Sequence, residues 1–173
     1  MVKSEKLKLI RRLFIVLLFI AAAVFCISRL KIETADEHRE IKEGGDISVT
    51  IRISCETILN KDIKDKKHFV ENGIILDLTK YMMSDGDTAF DVLNKAIRDN
   101  DIQMEYTGGK NPYVEGINYL YEFDYGKLSG WMYKVNDEYF GTGCGSYRVK
   151  DGDKVEFLYT CDLGRDIGNE YKE

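Results

Sequence analysis

Residues 46–55 read DISVTIRISC and residues 154–161 read KVEFLYTC. In the first, Ile47, Val49, Ile51 and Ile53 are separated by Ser48, Thr50 and Arg52, the period-two pattern of a half-buried strand, and Cys55 keeps the inward parity. In the second, Val155, Phe157, Tyr159 and Cys161 alternate in the same way, as a last strand. What lies between them sets the class. A Lys- and Asp-rich loop leads to a second extended segment, Ile74 to Met83, and the turn Ser84-Asp85-Gly86-Asp87 then leads into Thr88-Ala-Phe-Asp91. Thr88 is placed to cap a helix and Asp91 to complete a capping box. Phe90, Leu93 and Ile97, with Ala89 and Ala96, recur at helical spacing through Asp99. Beyond the helix come Ile102 to Tyr106, a Gly-Gly-Lys-Asn-Pro loop, a strand-rich run from Tyr113 to Val135 that turns at Asn136-Asp137, and a tight turn at Lys150-Asp151-Gly152-Asp153. One helix on a mixed sheet makes an α+β domain of roughly 120 residues.

The sequence outside this domain reads as an address. Leu13 to Ser28 are 16 consecutive uncharged residues between Arg12 and Arg29. At about 1.5 Å per residue they span roughly 24 Å, enough to cross a bilayer if the two arginines snorkel to its interfaces. Lys3, Lys6, Lys8, Arg11 and Arg12 against Glu5 give the first 28 residues a charge of +4, so the positive-inside rule sends the rest outside. The net charge of -5 then leaves -9 on that remainder, which argues against nucleic acid as a partner. The expected layout is a basic stretch and membrane anchor or signal (1–28), a charged stalk (29–45), the folded domain (46–168) and a tail (169–173). The chain is then a single-pass membrane protein with an extracytoplasmic C-terminal domain. Ala21-Ala22-Ala23 offers the alternative of a signal cleaved after Ala23 and a secreted product.

Four motifs stand in order: GDTAFDVLNKA (86–96), YVEGINYLYEF (113–123), SGWMYKVN (129–136) and KDGDKVEFLYTCDLG (150–164). Together they resemble the transcobalamin-like C-terminal domain of bacterial surface proteins, over about residues 46–168. The resemblance implies a β-grasp-like mixed sheet: residues 46–55 pair in parallel with residues 154–161, and the helix from Thr88 to Asp99 crosses beneath through Phe90, Leu93 and Ile97. It also implies a ligand, cobalamin or another corrinoid. The family resembles only the lid half of the cobalamin carriers, so a second protein would supply the other half of a ligand site. On the β-grasp pairing Cys55 and Cys161, which end the two central strands, come close enough for a disulfide. Members of the family often carry a cysteine ahead of the SGWMY stretch, where this chain has Tyr125, so Cys144 is left unpaired.

Ten of the 17 aromatics after Ser28 fall between Tyr113 and Tyr147. Such density suits a stacking surface for a flat or apolar ligand, with Tyr119, Tyr121, Trp131, Tyr133, Tyr139 and Phe140 as its aromatics and Asn118 and Asn136 as orienting amides. The plainer reading of any one of these residues is a filler of the sheet's faces, since Trp131, Tyr133 and Val135 share one parity. The function expected is a non-enzymatic cell-surface module that binds a small ligand, with an adhesion or envelope-scaffold domain docking protein or glycan as the alternative. A remoter alternative is a sortase-like transpeptidase, since Leu158-Tyr159-Thr160-Cys161 with Arg165 resembles a thiolate-and-arginine constellation. Its only histidines, His38 and His68, supply no convincing base. Two isolated histidines make no metal cluster, and neither Asp-Gly-Asp turn has the acidic spacing of a calcium loop, so no metal and no required cofactor are expected.

Overall fold

The computed structural model describes residues 45–59, 61, 70–109 and 111–169, within one compact unit, Glu40–Glu173. The membrane segment, nearly all of the stalk, His38, His68, Lys110 and all but the first residue of the tail lie outside the described residues. Among the described residues no helix is long and apolar enough to cross a membrane.

Eight strands and one α-helix are described: β1 (Ile47–Ser54), β2 (Ile74–Met83), α1 (Ala89–Asp99), β3 (Met104–Thr107), β4 (Tyr113–Ile117), β5 (Leu120–Tyr121), β6 (Gly130–Val135), β7 (Glu138–Tyr139) and β8 (Lys154–Thr160). Short 3-10 turns follow β1 (Glu56–Ile58) and β8 (Arg165–Ile167). The strands form two sheets, a five-stranded one in the order β2-β1-β8-β6-β7 and a three-stranded one in the order β3-β4-β5. The expected parallel pairing is present at the centre of the larger sheet, with Thr50 opposite Lys154 through Ser54 opposite Leu158.

Helix α1 begins where the sequence placed it. Asp91 N donates to Thr88 Oγ1 at 3.2 Å and Thr88 N to Asp91 Oδ2 at 2.7 Å, a complete capping box. The next free N–H groups are met by the chain after β7, as Ala89 N donates to Tyr147 O and Phe90 N to Cys144 O. The buried face differs by one residue from expectation. Val92, Leu93 and Ala96 are fully buried against Val49, Ile51 and Ile53, whereas Phe90 is half-buried and meets Tyr106 edge to face at 4.8 Å. The reason is that Phe90 lies at the side of the apolar stripe, over the small sheet rather than the large one.

Two turns lock the larger sheet. Asn136 and Asp137 have φ of 51° and 66°, the left-handed pair of a two-residue hairpin loop between β6 and β7. In the turn before β8, the buried carboxylate of Asp153 accepts from Lys150 N at 2.9 Å, Asn136 Nδ2 at 2.8 Å and Tyr147 OH at 3.4 Å.

The expected disulfide is absent, and Cys55, Cys144 and Cys161 are all free. The register explains why. With Ser54 opposite Leu158, one further step sets Cys55 beside Tyr159, and Cys161 lies two residues on. Two residues along the strand and one strand across put the Cα atoms about 8 Å apart, beyond the usual disulfide span of roughly 4.4–6.8 Å. The Cys161 thiol faces Thr57 Oγ1 at 3.9 Å instead, and the Cys55 N–H is held by Gly73 O at 2.7 Å.

Candidate functional site

The structure divides the expected aromatic surface into three places. Trp131 belongs to the interior: it is buried, its indole N–H donates to Leu120 O at 2.8 Å, and its ring meets Tyr159 edge to face at 5.3 Å. It faces inward because β6 sits between β8 and β7, and the parity Trp131–Tyr133–Val135 points at the core that α1 covers. Asn136 is likewise structural. Its Nδ2 donates to Asp153 and its Oδ1 accepts from Lys154 N at 2.9 Å, so both ends of the amide are spent on the turn.

The second place is a half-buried stack at the rim of the larger sheet. Tyr133 stacks on Phe157 at 6.0 Å and on Phe140 at 6.3 Å, and Phe140 meets Tyr147 at 4.6 Å. The hydroxyls here are bound internally, Tyr133 OH to Thr142 O and Tyr139 OH to Ile167 O, both at 2.7 Å. Burial raises the Tyr133, Tyr139 and Tyr147 phenols above their usual values. Their neutral, hydrogen-bonded state fits a packing role.

The third place is the outer face of the three-stranded sheet. A bulge creates it. Glu105 lies opposite Gly116 but Tyr106 opposite Val114, so Glu115 is the extra residue, and Val114 and Ile117 both reach the core although three positions apart. Tyr113 and Gly116 are thereby left on the outer side, with Tyr121 opposite Gly116 on the next strand. Glycine is required there. A Cβ on Gly116 would stand 2.5 Å from Tyr121 Cδ1 and 2.6 Å from Cε1, so the phenol ring lies directly over that backbone. The ring crosses β4 to reach β3, where Tyr121 OH donates to Glu105 Oε1 at 2.6 Å and accepts from Gln103 Nε2 at 2.9 Å.

Tyr121 is thus braced at both ends. The hydrogen bond to Glu105 raises its pKa, with burial and the Glu105 charge adding to the effect. Alongside it, Tyr113 is 53% exposed and donates to Glu122 Oε2 at 2.5 Å. That bond, then burial and the charges of Glu122 and Glu115, push the Tyr113 phenol up to about 12. Tyr119 is 51% exposed, with φ of 61° and its N–H donating to Gln103 Oε1 at 2.7 Å. Asn118 shares that turn, with φ of 53° and its N–H bonded to Gln103 O at 2.8 Å. Of the expected site residues, Asn118, Tyr119 and Tyr121 are therefore brought together. Tyr113, Gln103, Glu105 and Glu122 join them, and were not expected. The Tyr113 and Glu122 partnership was not legible in the sequence, since a bulge carries no signature in the apolar pattern.

Among the described residues the thiols show no activated nucleophile. Burial pushes Cys55 and Cys144 up to about 11 and raises Cys161 as well. Arg165 is held by Asp162, Nε at 3.0 Å and Nη2 at 2.5 Å. Among the described residues no three His, Cys, Asp or Glu side chains gather as a metal site.

A family model, described as a domain of unknown function (DUF4430), matches residues 86–160, less than half of the chain. No curated protein matches the sequence. Among solved structures the chain is similar to haptocorrin in complex with Cbi, at 21% identity over 68% of this chain and 25% of that one, with a TM-score of 0.46. It is also similar to a candidate metal-binding protein from Ruminococcus gnavus ATCC 29149, at 15% identity over 66% of this chain and 97% of that one, with a TM-score of 0.45. The chain spans about a quarter of the haptocorrin chain's length.

Proposed function

We propose that this chain is a membrane-tethered, extracytoplasmic binding module of β-grasp type. Its outer face on the small sheet, around Tyr113, Tyr119 and Tyr121, takes a small ligand with a flat or apolar frame. The observation that carries this reading is Tyr121. An aromatic ring held over a glycine backbone, with its hydroxyl fixed by Glu105 and Gln103, offers a stacking surface that loses little freedom on binding. The parallel pairing of β1 with β8 above α1 supports the β-grasp reading. Apolar residues 13–28 behind a basic flank support the tether. The resemblance of the four motifs to transcobalamin-like domains makes a corrinoid the first ligand to try, with a second protein closing the other side. Raised thiols and an arginine bound to Asp162 favour binding over thiol chemistry.

Calorimetric titration of the intact chain with cobalamin and cobinamide tests this. Heat with either one, reduced at least tenfold in affinity by Tyr121→Ala, supports the reading. No heat with either, and an unchanged melting temperature, moves the chain to the adhesion or scaffold class. That class has its own observation: Leu78 and Met82 are half exposed on β2, a ten-residue strand at the edge of the larger sheet.

A further inference from the structure

We infer that the end of the larger sheet opposite Gly45, where β1 and β8 finish, docks on a lipid bilayer through the exposed side chains of Leu59, Phe123, Leu128 and Leu163. The inference rests on the reading of residues 13–28 as a tether and adds a second, reversible contact with the same membrane. Among the described residues eight large apolar side chains are exposed, and these four of them gather at that one end. The backbone fixes the grouping. Leu163 N donates to Leu128 O at 2.9 Å and Phe123 N to Ser129 O at 3.0 Å, which ties the loop before β6 to the loop after β8. Leu59 follows the 3-10 turn after β1, and that turn is held to the end of β8 by Thr57 Oγ1 donating to Tyr159 O at 2.6 Å.

Such a group is unfavourable in water on two counts. Single apolar side chains on a surface are ordinary, but four gathered at one end are not. Phe123 and Leu163 also have φ of 68° and 49°, a left-handed backbone that bulky residues seldom adopt, and because both are exposed, packing within the domain does little to offset the strain. The carboxylates at this end are engaged by the loops themselves: Asp124 accepts from Tyr121 N at 2.8 Å, Asp166 from Cys161 N at 2.7 Å, and Asp162 is bound to Arg165.

The chain outside the domain decides the occupant. Residues 29–44 are sixteen residues between the apolar segment and Gly45. Fully drawn out they reach at most roughly 55 Å, against about 26 Å for the length of β1, so the far end of the sheet is within reach of the bilayer that holds the chain. A weak contact is enough there, because the tether makes it intramolecular. A stable protein interface takes roughly 20–30 residues a side, and four side chains on three short loops offer no such area. Phe and Leu tips at headgroup depth are what an interfacial lipid contact needs.

The test places the full chain in phosphatidylcholine vesicles with and without bromine on the acyl chains and reads tryptophan emission. Phe123→Trp reports the docking end, and Met82→Trp, half exposed at the opposite end of the sheet, is the control; buried Trp131 gives both the same background. The inference expects brominated lipid to quench the added emission of Phe123→Trp about twofold or more and to leave that of Met82→Trp unchanged. Adding Leu128→Ser and Leu163→Ser should remove most of that quenching with the melting temperature unchanged, and quenching that persists without the two leucines overturns the inference. Vesicles that carry the chain but quench neither reporter, or both alike, overturn the docking and leave the tether standing; quenching of neither is also the result expected of an end that binds protein. A chain that does not float with the vesicles overturns the tether and the docking together.

Discussion

Gly116 and Tyr121 form a single device, and each residue makes sense only beside the other. Gly116→Ala would put a methyl group 2.5 Å from the Tyr121 ring, so the phenol must swing away and release Glu105. Because that hydrogen bond raises the Tyr121 pKa, the variant should bring it back toward the usual tyrosine value, read from the ring signals in an alkaline NMR titration. Tyr113 gives the parallel case with a value attached. Glu122→Gln should lower its pKa from about 12 toward the ordinary 10.0. The sign for stability follows. A phenol whose pKa is raised by folding contributes below pH 10 and loses that contribution as the pH climbs toward 12, by an amount kept small by its exposure. At the core, Leu93 is fully buried on α1, and Leu93→Ala should cost roughly 2–5 kcal/mol in denaturant unfolding. A cost under about 1 kcal/mol would mean that the helix does not pack as described.

At the scale of elements, the sequence was most informative where one local rule acts alone. The capping box at Thr88–Asp91 and the turn at Asn136–Asp137 depend on neighbours in sequence, and both stand where the residues placed them. Thr88→Ala should accordingly cost about 1 kcal/mol, measured by thermal unfolding. What was not legible depends on offsets between distant strands. The run from Tyr113 to Val135 reads as one strand-rich stretch, yet β4 and β5 leave the larger sheet to join β3, and the bulge at Glu115 exchanges which residues face out. The cysteines failed for a similar reason: parity puts Cys55 and Cys161 on one side of their strands but says nothing of the two-residue stagger between them. Alkylation of the native chain checks this. Among the three described cysteines, half-buried Cys161 should label first, with Cys55 and Cys144 protected until denaturation. A peptide map of the unreduced chain in which Cys55 and Cys161 appear joined would overturn the register argument.

For the molecule as a whole, aromatic content alone could not say which tyrosines bind and which pack. Trp131 and Tyr159 are as aromatic as Tyr121, but they lie on the face of the larger sheet that α1 covers. Tyr133, Phe140 and Tyr147 fill its rim with their rings packed on one another. Among the described residues, the outer face of the small sheet carries the exposed rings of Tyr113 and Tyr119 beside the braced ring of Tyr121, and the central claim is that this is where the chain binds. The most direct measurement is a titration of the intact chain, labelled with carbon-13 in its tyrosine rings, against cobinamide. The account predicts that the signals of Tyr113, Tyr119 and Tyr121 move together and saturably while those of Tyr133, Tyr139 and Tyr147 hold still. Movement confined to Tyr133, Tyr139 and Tyr147, or no movement at any tyrosine up to saturating ligand, would contradict it.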